Sequence, residues 1–328
     1  MTTSKRRLLT TVLALATVGM IAPAGAADMG KAYPTKPIRL IVPNGPGSSV
    51  DTLTRIVANQ LSKELGQQLV IDNRGGAAGV IGMEIAKNAN PDGYTLVTAT
   101  TAATTIARLL LKKPPFHPIR DYDSVVQFAV TLNVLVVNRS LPINNMKDFL
   151  AYAKSGKQFN MASAGVGSQS HLSGAYFMQE AKINSLHVPY KGGGASSAAV
   201  ASGESQWSLI PSAAAMRHVN AGRMRAIAES LPKATPLLPG IPPISDAIPG
   251  FEYTGWMGFF VPKGTPKPII EKIRAATAKA MMAPNVKKGM AFQATEIVVA
   301  GPKEFTKVVQ DSMVQNAKLV KSLKLSAN

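Results

Sequence analysis

Residues 43–51 combine glycine, proline and hydroxyl side chains directly after an apolar run at 38–42 that is typical of a buried strand. The stretch reads Pro-Asn-Gly-Pro-Gly-Ser-Ser-Val-Asp, and its prolines and glycines end the strand. Its serines or its aspartate can then cap a helix that continues to residue 65. A strand, a glycine loop and a helix start in this order present free backbone N–H groups to an anion. The candidate ligand residues in this first loop are Asn44, Gly45, Pro46, Gly47, Ser48 and Asp51.

Four further loops rich in glycine or hydroxyl residues follow later strand-like runs, at 72–82, 98–105, 163–171 and 189–194. Ligands of parallel α/β sheets bind beyond the carboxyl ends of the strands, so such loops on two lobes would face one another across a cleft. Each loop alone is also compatible with ordinary turn chemistry, but five together favour a polar ligand site. The further candidate ligand residues are Thr100, Thr101, Ala102, Gly165, Gly167, Ser168, His171, Tyr190 and Ser212.

Templates for catalysis match this sequence poorly. Gly45 and Gly47 begin like a dinucleotide fingerprint, and Asp72 stands where an adenosine-ribose acid would, but Val50 replaces the third glycine. The chain has neither the Gly-x-x-x-x-Gly-Lys-Ser/Thr phosphate loop nor the Gly-x-Ser-x-Gly nucleophile elbow. Its four histidines lack metal-ligand spacing, and its acidic residues are few and unpaired. We expect no enzymatic activity, no cofactor and no metal; the alternative is an exported α/β enzyme with a nucleotide-like cofactor.

Charge and cysteine content narrow the choice of partners. The chain of 328 residues carries a formal net charge of +18 and contains no cysteine. The lack of thiols excludes disulfides, thiolate nucleophiles and Cys-ligated metals. The positive charge attracts anions, but aromatic residues form only 6% of the chain and do not alternate with the basic ones. Nucleic-acid binding needs a compact basic face with stacking aromatic side chains, so we expect no nucleic-acid partner.

The N-terminus has the three parts of an export signal. Lys5, Arg6 and Arg7 form a basic region, residues 8–22 are apolar, and Ala24-Gly25-Ala26 resembles a cleavage site. A membrane anchor is disfavoured because the apolar stretch is short for a spanning helix. We therefore predict a cleaved signal peptide at 1–26 and a periplasmic mature protein; the choice between ordinary and twin-arginine export stays open.

Strand-like runs alternate with helical patterns along the rest of the chain, which predicts an α/β fold with mixed, largely parallel sheets. The predicted strands are 38–42, 68–71, 94–98, 134–137, 159–162, 185–188, 207–210, 225–228 and 257–261. The predicted helices are 50–65, 80–87, 146–155, 171–181, 195–202, 213–221, 267–282, 284–291 and 302–323. Two lobes fit the number of elements better than one large sheet does. Chain crossings are expected near 127–133 and near 251–259. Residues 27–130 and 255–328 would then form the first lobe, and residues 131–254 would form an inserted second lobe.

Read together, these stretches resemble one family, the exported Bug-type solute receptors of tripartite tricarboxylate transporters. The resemblance extends from residue 33 to the C-terminal helix and is specific in its combination of motifs. The motifs that carry it are the opening strand at 34–43, Pro46-Gly47 with Asp51 and Arg55, Asn73-Arg74 with Gly76, Gly79 and Gly82, Pro91-Asp92-Gly93-Tyr94, Ser163-Ala164-Gly165 with Gly167-Ser168 and His171, and His187-Val188-Pro189-Tyr190-Lys191-Gly192.

The resemblance implies a two-lobed type II periplasmic-binding-protein fold, the Venus flytrap, without catalysis. Such a receptor is expected to close on a small organic acid and to deliver it to the membrane subunits of a tripartite transporter. Backbone amides and hydroxyls of the first-lobe loops would hold one carboxylate, and the second lobe would add further contacts. The expected oligomeric state is a monomer. An alternative is a sensor that presents its closed form to a signalling partner.

Several positions depart from the family pattern. Ser48 stands where a second glycine is usual, Ala102 and Ala103 replace a Gly-Thr pair, and Ala107 replaces an asparagine. Ile210 stands where an acidic residue is often found, which removes a contact for an amino group. We therefore expect a ligand without an amino group, such as a dicarboxylate or an aromatic carboxylate.

Overall fold

The computed structural model describes residues 33–325, so the predicted signal peptide, residues 1–26, lies outside the described residues. The described strands are β1 Ile38–Val42, β2 Leu69–Asn73, β3 Thr95–Thr100, β4 Tyr122–Asn138, β5 Met161–Ser163, β6 His187–Pro189, β7 Trp207–Pro211, β8 Met224–Glu229, β9 Thr254–Pro262 and β10 Glu296–Ala300. The described α-helices are α1 Ser49–Leu65, α2 Val80–Lys87, α3 Met146–Ala153, α4 Gln169–Ala181, α5 Gly193–Ser202, α6 Ser212–Asn220, α7 Lys267–Met282, α8 Pro284–Phe292 and α9 Pro302–Ser322.

Two sheets of mixed direction are joined by the long strand β4. In the first sheet the order is β2-β1-β3-β9-β4, with β1, β2 and β3 parallel, β9 antiparallel to both its neighbours, and β10 antiparallel on β4. In the second sheet the order is β4-β7-β5-β6, with β5, β6 and β7 parallel and β8 antiparallel on β4. The fold is therefore α/β, with mixed sheets in a two-lobed arrangement, as predicted.

Strand β4 changes its partner in mid-course. Leu132 is the last residue that pairs with β9, and Asn133 is the first that pairs with β7. This change lies within the crossing predicted near 127–133. The boundaries of the two lobes, at 130/131 and 254/255, stay a prediction.

Local sequence explains why the helices begin where they do. Ser48 caps α1 by accepting a hydrogen bond from the backbone N–H of Asp51, and Ser168 caps α4 by accepting one from His171. Asn145 caps α3 in the same way. The strand–loop–helix pattern therefore fixes the starts of two helices at loops predicted to bind the ligand.

Separate apolar clusters cover the sheets. Leu53 and Val57 of α1 pack with Ile273 of α7 against the first sheet. Phe149 and Trp207 lie in a cluster on the second sheet, and their rings meet edge to face with centroids 5.3 Å apart. Leu110 and Val320, which lie outside residues 131–254, also pack into this second cluster. The second cluster therefore includes residues from outside the predicted second lobe.

The predicted elements agree closely with the structure. All nine predicted helices are present, and each of the nine predicted strands overlaps an observed one. Strand β10 was not predicted, and only residues 134–137 of β4 were. Within residues 33–325 no helix combines the length and the apolar character that crossing a membrane requires.

Candidate functional site

A cavity of about 60 Å³ lies between the two sheets. It is bounded by the loops that follow β1, β3 and β5, by the strands β4 and β9 where the chain crosses, and by the first turns of several helices. The lining residues are Asn44, Ser48, Ser49, Val50, Ala78, Thr100, Ala102, Thr131, Ala164, Ser168, Gln169, Ser170, Gly193, Ile210, Pro211, Ala214, Trp256 and Met257. Both lobes therefore contribute to one site.

The N-termini of four helices converge on this cavity. Ser49 begins α1, Gln169 begins α4, Gly193 begins α5 and Pro211 precedes the first residue of α6; each of them lines the cavity. The first N–H groups of a helix have no acceptor within the helix. The aligned peptide dipoles add positive potential at the same place, so each helix start favours a carboxylate or phosphate oxygen.

No lining residue carries a formal charge. An anion in the cavity would be held by backbone N–H groups and by the hydroxyls of residues such as Ser48, Thr100 and Thr131. Arg217 of α6 is a basic residue beside the first loop, where its Nη1 would lie 3.6 Å from a Cβ placed on Gly47. The site thus favours anions through dipoles rather than through an ion pair.

Asp51 does not line the cavity but holds the first loop in place by hydrogen bonds. Its Oδ2 accepts the backbone N–H of Gly47 at 2.8 Å, and its Oδ1 accepts Arg55 Nε and Asn73 Nδ2, each at 2.9 Å. Burial alone would raise the pKa of Asp51, but the hydrogen bonds from Arg55, Asn73 and Gly47 outweigh it and hold the pKa below its usual value. The carboxylate stays ionised and keeps Gly47 in its left-handed conformation, with φ of +73°.

The second-lobe loop is held by its own hydroxyls and by one imidazole. Ser170 Oγ accepts the N–H of Ala164 at 2.9 Å and lies 3.2 Å from Ser168 Oγ. His171 Nδ1 accepts the N–H of Gly167 at 3.3 Å. These bonds fix the loop that precedes α4.

Five of the predicted ligand residues line the cavity. They are Asn44, Ser48, Thr100, Ala102 and Ser168.

The other predicted residues lie in the same loops without lining the cavity. Gly45, Pro46, Gly47, Gly165 and Gly167 shape the turns, and Asp51 and His171 bond them from behind as described. Thr101 Oγ1 accepts the backbone N–H of Trp256 at 2.8 Å and so ties the third loop to β9.

Two further predicted residues, Tyr190 and Ser212, do not line the cavity. The hydroxyl of Tyr190 donates to Glu204 Oε1 at 2.9 Å and lies 3.0 Å from Ser205 Oγ. Ser212 is the first residue of α6, and its buried Oγ has no hydrogen-bond partner.

Sequence reasoning missed two kinds of lining residue. Three of them, Ser49, Gln169 and Gly193, are the first residues of helices whose preceding loops were singled out, so the capping pattern could have identified them. Thr131, Trp256 and Met257 come from the crossing strands, and no local signal marks them. Among residues 33–325, no three His, Asp or Glu side chains are grouped so that they could hold a metal ion.

Two α/β lobes, crossing strands between them and a cleft at the carboxyl ends of the strands define a periplasmic binding protein. A solved structure described as that of a periplasmic transporter is 34% identical, covers 90% of this chain and 99% of its own, and superposes with a TM-score of 0.87. Rpa4515 of R. palustris, solved with adipate, is 27% identical with the same 90% and 99% coverage and a TM-score of 0.86.

Sequence comparison identifies the family. Residues 53–325 match the model of the tripartite tricarboxylate transporter family receptor, TctC, and the chain belongs to this family of periplasmic solute receptors. A protein from the tcbD-tcbE intergenic region of Pseudomonas sp. (strain P51) is 31% identical over 97% of this chain and 95% of its own length. BugT of Bordetella pertussis is 29% identical over 94% of each chain. The relatives of this family are receptors and not enzymes.

Proposed function

We propose that this protein binds a small organic acid in the cavity between its lobes and delivers it to the membrane subunits of a tripartite transporter. The observation that carries the proposal is the convergence of four helix N-termini on a cavity without a charged side chain. Such a site stabilises one or two carboxylates and has no carboxylate to pair with a cation.

The ligand has no amino group in this proposal. None of the lining residues is acidic, so an ammonium group in the cavity would have no carboxylate partner. Ala102, Ile210 and Met257 add apolar surface beside the helix starts. A dicarboxylate or an aromatic carboxylate fits this combination, and the adipate bound to Rpa4515 is of the first kind.

Binding is coupled to closure of the lobes. Residues 27–130 with 255–328 form one lobe and residues 131–254 the other, and the ligand contacts both only when they meet. A ligand that interacts better with the closed form shifts the population towards it. Export by the cleaved signal peptide at 1–26 places this receptor in the periplasm, where it functions as a monomer.

Thermal unfolding with a panel of acids tests the proposal. Succinate, malate, adipate and benzoate would be added one at a time to the mature protein, with the corresponding amides as uncharged controls. A ligand at 100 times its Kd stabilises the folded state by about 2.7 kcal/mol, so a true ligand raises Tm and its amide does not. No shift with any acid, together with no co-purified acid in native mass spectrometry, would overturn the receptor proposal.

A further inference from the structure

Gln169 connects the ligand cavity to the strand that joins the lobes. It is the first residue of α4, it lines the cavity, and its side chain is half-buried. Its Nε2 donates to Asn133 Oδ1 at 3.2 Å and to Thr131 Oγ1 at 3.4 Å. Both acceptors belong to β4, whereas α4 belongs to the second lobe.

The two acceptors lie on either side of the point where β4 changes sheets. Thr131 pairs with Gly255 of β9 in the first sheet, and Asn133 pairs with Pro211 of β7 in the second. One amide therefore bridges the two halves of the crossing strand. A rotation of the second sheet about this crossing carries Asn133 along with Gln169, but it moves Gln169 relative to Thr131 and Gly255, which pair in the first sheet.

Gly255 makes room for the Gln169 amide. A Cβ on Gly255 would lie 2.5 Å from Gln169 Nε2 and 2.8 Å from its Oε1, closer than any real side chain allows. Gly255 is absent from the residues with positive φ, so its backbone does not itself require glycine. The same Cβ would lie 2.8 Å from Thr131 Oγ1, so glycine at this position leaves space for both the Gln169 amide and the Thr131 hydroxyl.

Asn133 depends on this contact. Its side chain is fully buried, its Nδ2 has no partner, and Gln169 is the one donor to its Oδ1. Withdrawal of α4 would leave the whole Asn133 amide without a protein partner, and buried polar groups without partners are unfavourable. The bond to Asn133 therefore holds the Gln169 amide in place, and its contacts with Thr131 and Gly255 of the first sheet favour the arrangement in which the lobes are together.

We propose that Gln169 is a positioning residue that holds the cleft closed, so that a ligand at the N-terminus of α4 and the crossing strand stabilise one another. The inference rests on the proposed receptor function. It adds a specific residue by which occupancy of the cavity is converted into lobe closure.

The test measures lobe closure directly. The chain has no cysteine, so spin labels attach only to introduced cysteines, at Lys63→Cys on α1 and Ser202→Cys on α5, both exposed. Distances between the labels are measured in the doubly labelled protein with and without saturating adipate. Gln169→Met keeps the length of the side chain and removes its donors. Gln179→Met is the matched control, since Gln179 is an exposed glutamine of the same helix.

Loss of one or two hydrogen bonds corresponds to a decrease of about fivefold in the ratio of closed to open molecules. We expect this decrease for Gln169→Met, together with a similar weakening of adipate affinity, and no change for Gln179→Met. Gly255→Ala should act like Gln169→Met by expelling the amide, and the double variant should add little.

The two proposals fail in different ways. If unlabelled wild type binds none of the acids, the receptor function is overturned, and the ligand-free distances still report on Gln169. If Gln169→Met leaves both the distances and the adipate affinity as in wild type, the role of Gln169 is overturned, whereas adipate binding by wild type still supports the receptor function. If Gln169→Met lowers Tm without changing the distances between the labels, Gln169 has only a structural role, and its proposed role in closure is also overturned.

Discussion

The imidazole rings of His171 and His187 stack with their centroids 4.3 Å apart and an angle of 16° between their planes. The pair lies behind the second-lobe ligand loop. His171 Nδ1 accepts the N–H of Gly167, and His187 Nε2 lies 2.6 Å from Ser163 Oγ. A proton on His171 Nδ1 would remove the acceptor for Gly167 and place a charge against the second ring.

Acid should therefore destabilise this protein through the histidine pair. Burial, and after it the proximity of His187, lower the pKa of His171 to about 4 from its usual 6.5, and burial lowers that of His187. Between pH 6.5 and about pH 4 the unfolded chain binds a proton at His171 that the folded chain does not. The folded state is therefore most stable relative to the unfolded state above pH 6.5, and this advantage is lost as the pH falls. The free energy of unfolding should fall by up to about 3 kcal/mol across this window. Urea unfolding at pH 7, 6, 5 and 4.5 measures it.

His171→Asn provides the comparison for this pH dependence. An Asn side-chain oxygen can accept the same N–H of Gly167 but does not titrate. We expect a shallower fall in stability with pH in this variant. A slope equal to that of wild type would exclude His171 as the origin of the effect.

Asp51→Asn should loosen the first ligand loop. The substitution removes the charge that three donors share, and hydrogen bonds to a charged group contribute about 2 kcal/mol. Because the pKa of Asp51 is lowered, its contribution is complete above the usual carboxyl value of 3.8 and disappears as the pH falls through the folded value. The difference in unfolding free energy between the variant and wild type should thus shrink in acid. Asp311→Asn, at an exposed ion pair with Lys307, is the control and should change stability by less than about 0.5 kcal/mol.

Glu229→Gln should stabilise the protein at neutral pH. Glu229 is fully buried, and its Oε1 has no partner, although its Oε2 accepts the N–H of Leu231 at 2.7 Å. Burial raises the pKa of this carboxyl, so the favourable protonated form is present below the usual value of 4.5 and is lost as the pH rises through the folded value. We expect a gain in unfolding free energy at pH 7 that vanishes below pH 4.5. The midpoints of urea unfolding at pH 7 and below pH 4.5 measure this difference between the variant and wild type. An equal difference at both pH values would contradict a destabilising charge on Glu229.

Gly47→Val should weaken acid binding by tenfold or more. Gly47 has φ of +73° in the loop that begins α1, and a β-branched residue there is strained by about 2 kcal/mol. Gly66→Val is a matched control, because Gly66 has φ of +69° at the other end of the same helix, away from the cavity. Both variants should lose similar stability in thermal unfolding, but titration calorimetry should show weaker binding in Gly47→Val alone. Equal affinities would remove this loop from the site.

The sequence alone determined the class of element at most positions and the family. Hydroxyl caps such as Ser48 and Ser168, and apolar spacing of the helical kind, are local signals, and local signals place helices within two residues of their observed ends. The sequence does not predict strand β10, because its exposed and half-buried residues form no apolar alternation. The sequence also does not predict most of β4, because its apolar pattern is interrupted by Ser124, Gln127, Thr131 and Asn133.

Only the tertiary structure decided which side chains of these elements meet. Thr131, Trp256 and Met257 enter the cavity because β4 and β9 pair at the end of the first sheet, where the chain crosses to the second, a contact between residues more than 100 positions apart that no local pattern encodes. The hydroxyl of Tyr190 lies with Glu204 and Ser205 for the same kind of reason. Backbone amides at helix starts are implied by sequence, since capping is local; their convergence from four helices depends on the packing of two sheets around one crossing strand.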